Sequence, residues 1–311
     1  MSPSALDPVE PQSLQALREV AESAARVGGE LARASFGQTV AVTLKADRSE
    51  VTEIDVAAQR AIIAHIRSHR PGDSFIGEEA AAQRHEGTKG RRHEGKGAAG
   101  PSRDTRAPRD AENPHPAIRD PQSICWVIDP LDGTRNYVRG LPLFTCSVAA
   151  LRNGEPLVGA VYDPVQDVMY AAARGQGTYV QGQRVSLASV ANAYGPGADL
   201  LVGIPSAQRP TTQHLVLHAI ERHTVRNFGS AALHLALVAT GQLDVAVLGN
   251  SKLWDVAAGW LLITEAGGVA TSPDGAPVFP LDVSGYAGEE IAVLAGNRAA
   301  HARLMRESAA G

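Results

Sequence analysis

The chain has 311 residues, a formal charge of −4 and 44% hydrophobic residues, which excludes a largely disordered protein and suits one large core or two subdomains packed as a unit. Its 29 Lys and Arg stand against 33 Asp and Glu, so no overall basic bias points to nucleic acid. Aromatics are only 5%, so the core must rest on Ala, Val, Leu and Ile.

Cys125 and Cys146 sit in apolar runs and read as buried free thiols, with no zinc spacing or disulfide framework. The first ten residues carry acids and prolines without an apolar h-region, and no apolar run reaches membrane-spanning length. The expectation is a soluble cytoplasmic protein with no membrane partner.

In chain order, apolar residues at Leu14, Leu17, Ala21, Ala24 and Leu31 predict an amphipathic helix over 13–36. Thr52 followed by Asp55 resembles a capping pattern, and a helix continues over 57–69 with Ile62, Ile63 and Ile66 inward. Taken alone, Lys45 reads as a solvated loop cation and Asp55 as an acid suited to a helix start. Ser74-Phe75-Ile76-Gly77 predicts a short strand ending in Glu78 and Glu79. Residues 81–121 differ in kind: rich in Gly, Pro, Arg, Lys and His, they hold almost no large apolar side chains. Such a segment is predicted to be a disordered or loose surface insertion, because it buries too little to offset its ordering entropy. Its local basic balance permits a weak nucleic-acid role, with a neutral solvated insertion favoured.

The central stretch is Trp126-Val127-Ile128-Asp129-Pro130-Leu131-Asp132-Gly133-Thr134. A buried strand over 124–128 delivers Asp129, and Pro130 is expected to turn the chain there. Two carboxylates at a buried strand end repel each other unless a cation intervenes, and an all-oxygen set favours Mg²⁺ over zinc. An ordinary turn also uses these residue types, so other acids must complete the case.

Beyond the motif, strands are predicted over 143–151, 157–162, 167–173 and 178–180 as an antiparallel meander, with a further strand over 200–204. A helix follows over 211–223; its His214, His218 and His223 show no metal-ligand spacing and read as surface or packing residues. A helix from Ala231 to Thr240, a strand over 243–248 and a long apolar helix over 256–266 come next. Asp255 then reads as an N-cap or first-position acid. Strands over 269–271 and 291–295 and a closing helix over 298–308 complete the chain. If the ends carrying Glu78, Asp129, Asp132 and Asp255 meet, they form the ligand set of a two- or three-Mg²⁺ phosphoryl-transfer site. No Ser or Cys nucleophile with a partner base is evident, so attack by water is the economical mechanism.

Glu78-Glu79 after Phe75-Ile76-Gly77, the 126–134 stretch, Trp254-Asp255-Val256-Ala257-Ala258-Gly259 and Glu265-Ala266-Gly267-Gly268 resemble the signatures of the inositol monophosphatase family. The 45–55 stretch resembles its amino-terminal motif. The resemblance implies a layered αβαβα sandwich, as in inositol monophosphatase and fructose bisphosphatase, forming one phosphatase unit over 1–311. Its α+β part would span about 1–185 and its α/β part about 186–311. It further implies Mg²⁺-dependent, lithium-sensitive hydrolysis of a small phosphorylated metabolite, and a homodimer. By motif, Glu78, Asp129, the Leu131 carbonyl, Asp132 and Asp255 match metal ligands. Thr134, Glu78 and Asp55 match the water-activating set, with Lys45 placed beside them. Gly133 and Thr134 match the phosphate cradle, and Gly229, Ser230 and Ala231 the substrate side. One position departs: where inositol-phosphate enzymes carry a sugar-contacting Glu seven residues before the metal-binding Asp, this chain has Leu248. Leucine accepts no hydroxyl hydrogen bond, which leaves open relatives acting on 3′-phosphoadenosine 5′-phosphate, fructose 1,6-bisphosphate or histidinol phosphate. Lys252 reads as a surface lysine.

Overall fold

A computed structural model describes residues 10–38, 42–44, 50–79, 123–188 and 198–309. Lys45 and the 81–121 insertion lie outside the described residues.

Helix α1 (Pro11–Ser35) is followed by the short antiparallel pair β1 (Val42–Leu44) and β2 (Glu50–Thr52), and then by α2 (Glu53–His69). Seven strands form the larger sheet: β3 (Ser74–Gly77), β4 (Cys125–Asp132), β5 (Thr145–Arg152), β6 (Glu155–Asp163), β7 (Val168–Ala173), β8 (Gly177–Val180) and β9 (Gln183–Val185). They lie side by side in chain order; only β3 and β4 run parallel. One turn of helix, α3 (Thr134–Val138), interrupts the path from β4 to β5.

The second half builds β10 (Leu201–Gly203), α4 (Gln213–Arg222), β11 (Thr224–Arg226), α5 (Ala231–Ala239), β12 (Val245–Ser251), α6 (Leu253–Glu265), β13 (Val269–Thr271), β14 (Ile291–Gly296) and α7 (Arg298–Ala309). Its five strands pair in the order β11-β10-β12-β14-β13.

Side-chain alternation stacks these pieces into five layers. On β4, Trp126 and Ile128 face α1 and α2, packing with Leu17, Ala21, Ala24, Ile62 and Ile66. Val127 faces the other way, into a central core with Leu235, Ala258, Leu261 and Leu262 of α5 and α6. Ala246, Leu248, Val293 and Ala295 close that core from the smaller sheet. The opposite side of this sheet, Val202, Val245, Val247 and Leu294, is covered by Leu215, Ala219, Ala300 and Leu304 of α4 and α7. The result is the αβαβα sandwich expected from the sequence. The central strands of both sheets are buried on both faces, which explains their near-continuous apolar runs. Backbones approach closely at Gly159 of β6, where a Cβ would stand 2.8 Å from Ala258 Cα of α6. Cys125 and Cys146 are both buried and unbridged, as expected.

Three expectations are corrected in detail. The chain does not turn at Pro130: β4 runs on to Asp132 through a bulge, where proline's missing N–H costs no ladder bond. Helix α6 begins at Leu253, so Asp255 is its third residue rather than its cap or first position. The three-residue strands β9 and β11 carry no predicted element, being too short to show a period.

Candidate active site

The β4 bulge sets the geometry. Asp129 pairs with Ser147 and Asp132 with Thr145, so β4 holds one more residue than β5 between the two pairs. In a regular strand, residues three apart point to opposite faces. The extra residue brings both carboxylates round to one cavity. Asp129 Oδ1 accepts the Leu131 N–H at 3.0 Å, which holds the bulge closed.

Asp255 arrives from the other side of the central core. Its Oδ2 accepts the Lys252 N–H at 2.7 Å, the reciprocal half of a capping box, which fixes the carboxylate at the start of α6. One carboxylate oxygen from each of Asp129, Asp132 and Asp255 lies within 4.8 Å of the other two. Glu78, just past β3, lines the same cavity. The space is about 570 Å³ and is walled by the ends of both sheets.

Burial and crowding leave this cluster short of positive charge. Burial, then the charges of Glu78, Asp132 and Asp255, pushes the Asp129 carboxyl well above the usual range. Asp255 is pushed well up by burial and by Asp132 and Glu78. Asp132 rises to about 6 through burial, held down by the Ser230 hydroxyl and the Ala232 N–H, each at 2.6 Å from its Oδ2. Buried carboxylates with only oxygen atoms to offer fit a hard divalent cation such as Mg²⁺. The carbonyl of Leu131 also lines the cavity; it accepts the Thr134 hydroxyl at 3.0 Å and keeps its second lone pair.

Asp55 does a different job. It is fully buried, and Oδ2 accepts the Thr52 N–H at 2.7 Å and the Thr52 hydroxyl at 2.5 Å. That completes the capping box anticipated at α2. Oδ1 lies 3.1 Å from the Thr134 hydroxyl. Thr134 is therefore gripped from α2 and from the β4 bulge at once, at the cavity wall.

Gly133 has φ +95°, and a Cβ there would meet Leu143 O at 2.8 Å, so this turn needs glycine. Gly229, Ser230 and Ala231 line the opposite wall, and Ser230 caps α5 by accepting the Leu233 N–H at 3.1 Å. The structure thus brings together Asp55, Glu78, Asp129, Leu131, Asp132, Gly133, Thr134, Gly229, Ser230, Ala231 and Asp255.

Some lining residues escaped sequence reasoning. Asn136 Nδ2 donates to Leu143 O and Phe228 O, both at 2.7 Å, and so ties α3 to the segment before Gly229. Arg209 and Glu290 form a two-bond ion pair at the rim, from positions 81 apart in sequence. His234 lies buried on α5, where Nε2 accepts the Phe228 N–H at 3.0 Å. Its signal was available: it is the one polar residue in Ala231–Ala239. Lys252 is half-buried rather than on the surface, its Nζ donating to Gly288 O at 2.6 Å. Leu248 lines the cavity as a buried strand residue and presents only carbon.

A cluster of buried carboxylates in a cavity between the two sheets of a five-layered αβαβα sandwich defines the class. Its motifs have counterparts in known proteins. The chain belongs to the inositol monophosphatase family, a family of phosphatases whose model matches residues 13–310. It is 31% identical over 301 residues to a protein of Aquifex aeolicus named fructose-1,6-bisphosphatase/inositol-1-monophosphatase, covering 95% of this chain and 96% of that one. It is 34% identical over 237 residues to a protein of Pasteurella multocida named Nus factor SuhB, covering 75% of each. The solved structure of the extragenic suppressor protein suhB from Bartonella henselae superposes with a TM-score of 0.73 at 26% identity, covering 95% of this chain and 99% of that one. Among the described residues no helix is long and apolar enough to cross a membrane.

Proposed function

We propose that this chain is a Mg²⁺-dependent phosphomonoesterase that hydrolyses a small phosphorylated metabolite by direct attack of water. The observation that carries the reading is the convergence of Asp129, Asp132 and Asp255 within 4.8 Å, with Thr134 held by Asp55 beside them. Asp129, Asp132, Asp255, Glu78 and the Leu131 carbonyl would hold two or three Mg²⁺ ions. When bound, Mg²⁺ supplies charge neutralisation of the phosphate and Lewis acidity at its oxygens.

The chain's own groups supply position. Thr134 has one hydroxyl proton, and both acceptors within reach, Asp55 Oδ1 and Leu131 O, are protein atoms. Its oxygen lone pairs remain to accept an O–H from the attacking water, with Glu78 as the second acceptor. Gly133 and Thr134 provide the phosphate cradle, and Gly229, Ser230 and Ala231 form the substrate side. Lys45 keeps its place in the proposal through the motif alone. A homodimer is proposed on family habit, and size exclusion with light scattering tests it.

Leu248 favours a substrate other than an inositol phosphate, since a polyol site loses discrimination without an acceptor there. Lys252 on the same lining favours a second anionic group, and fructose 1,6-bisphosphate, in the name of the Aquifex relative, is the matching compound.

Phosphate release is measured for inositol 1-phosphate, histidinol phosphate, fructose 1,6-bisphosphate, 3′-phosphoadenosine 5′-phosphate, glycerol 2-phosphate and AMP, with Mg²⁺ and with chelator. One compound turned over far above the rest, only with Mg²⁺ and lost in a folded Asp129→Asn chain, supports the reading. Full activity in Asp129→Asn defeats the metal-site assignment. Silence toward all six from a folded, Mg²⁺-replete chain moves weight to a non-enzymatic role like that implied by the SuhB name, with the 81–121 insertion as the nucleic-acid contact.

A further inference from the structure

On the outer face of the smaller sheet, far from the acidic cavity, α4 and α7 pack side by side. His218 lies on α4, His223 directly follows it, and Glu307 projects from α7. None of the three lines the cavity. Glu307 Oε2 stands 3.4 Å from His218 Nε2 and 3.3 Å from His223 Nε2, and one donor atom from each residue falls within 4.8 Å of the others.

We propose that His218, His223 and Glu307 form a site for a Zn²⁺-class divalent ion that pins the C-terminal helix to the end of α4. Three observations carry this. The first is spacing: ligands at about 2.0–2.1 Å from a tetrahedral ion stand about 3.3 Å apart along each edge. Both N···O separations match that edge, the longer of them being also a hydrogen bond between His218 and Glu307.

The second is an unsatisfied group. The His223 side chain is 1% exposed, and neither of its ring nitrogens makes a hydrogen bond among the described residues. Its 3.3 Å approach to Glu307 is close but not aligned for one. A buried imidazole without a hydrogen bond is rare and calls for a partner. An ion approached along the lone pair of Nε2 provides one for that nitrogen.

The third is orientation of the carboxylate. Arg303 Nε donates to the other oxygen, Glu307 Oε1, at 2.8 Å, and Arg303 Nη1 donates to Ala198 O at 2.7 Å. Glu307 is thus held with Oε2 toward the histidines, the second-shell arrangement that metal-binding carboxylates use. Burial and the Arg303 charge also lower the His223 pKa, so the ring is neutral, the form that ligates. Two imidazoles and one carboxylate suit Zn²⁺ and its neighbours, whereas the oxygen-only carboxylate cluster suits Mg²⁺. The fourth position faces solvent, since Glu307 and His218 remain 32% and 17% exposed.

The test uses the untagged full-length chain, stripped of metal, with Mg²⁺ in excess to fill the acidic cavity. Zn²⁺ is titrated calorimetrically, and Co²⁺ is titrated for the visible absorption of a four-coordinate site, which a six-coordinate carboxylate site gives far more weakly. The expected result is one tight equivalent, with thermal stability rising on Zn²⁺ addition. His218→Gln and His223→Gln should each weaken it by more than the 10–100-fold that loss of a second-shell partner costs. Asp129→Asn should leave it unchanged. No tight equivalent in the parent chain, or an equal one in both histidine variants, overturns the proposal. If His223→Gln fails to fold, His218→Gln, at the more exposed of the two histidines, decides alone. The readout is independent of turnover, so the site and the proposed hydrolysis can fail separately.

Discussion

Each sheet offers the cavity one bulged strand, and the two bulges are used differently. In β4 the extra residue falls between Asp129 and Asp132; in β12 it falls between Leu248, paired with Val293, and Ser251, paired with Ile291. Both bends turn side chains toward the same space. The β4 bulge presents Asp129 and Asp132, locked by backbone donors, and the β12 bulge presents Leu248, Asn250 and Ser251. The same backbone device therefore serves charge on the larger sheet and shape on the smaller one. Chemistry and selectivity then sit largely on separate sheets, with Asp255 of α6 the one acid of the cluster brought in from the smaller sheet's side.

The sharpest way to break this comparison is to neutralise the charged wall. Asp255→Asn keeps an acceptor for the Lys252 N–H but removes a charge. It should lower turnover at least about a thousandfold, about 4 kcal/mol of transition-state stabilisation. Its melting temperature in chelator should be no lower than the parent's, since buried repulsion is relieved. A metal-free chain clearly destabilised by Asp255→Asn would mean that the carboxylate is structural rather than poised for a cation.

Next in size is the joint between the walls. Burial lowers the His234 pKa to about 4, below the unfolded value near 6.5, so the native state disfavours its protonated form. Its contribution is complete above about pH 6.5 and is lost progressively as pH falls toward 4, by about 3 kcal/mol in all. The physical event is loss of the Nε2 lone pair that accepts the Phe228 N–H. Urea unfolding at pH 7.5 and pH 5 should show a smaller pH-dependent drop in His234→Gln than in the parent. Equal drops would remove His234 from the account.

The smallest effect should come from the neutral wall. Leu248→Glu places an acceptor where the bulge points into the cavity. It should raise kcat/KM for inositol 1-phosphate relative to glycerol 2-phosphate by about tenfold. An unchanged ratio would show that selectivity is written elsewhere, with the Arg209–Glu290 pair as the next position to vary.

Much of this arrangement was legible from local pattern. Thr52 and Asp55 announce a capping box, apolar spacing gives most of the strands and helices, and the five layers follow from the family resemblance. Glu78, Asp129, Asp132 and Asp255 were singled out because each sits where a chain segment ends. Three things were hidden for physical reasons. Pro130 looked like a strand stop, because proline's meaning depends on whether a partner needs its N–H. Leu253 and Trp254 carry no start signal, so the sequence alone starts α6 too late and gives Asp255 a cap's position. Pairings such as Arg209 with Glu290, or Glu307 with two histidines, join residues 81 or more apart and leave no trace in spacing.

The two thiols have a practical consequence. Burial pushes Cys125 up to about 11 and Cys146 higher still, so neither presents a thiolate at neutral pH. They are the only cysteines in the sequence. A cysteine introduced at an exposed position, such as Leu217 on α4, would then be the sole reactive thiol. The native chain is in effect already blank for site-directed labelling, and its behaviour under air should not depend on added reductant.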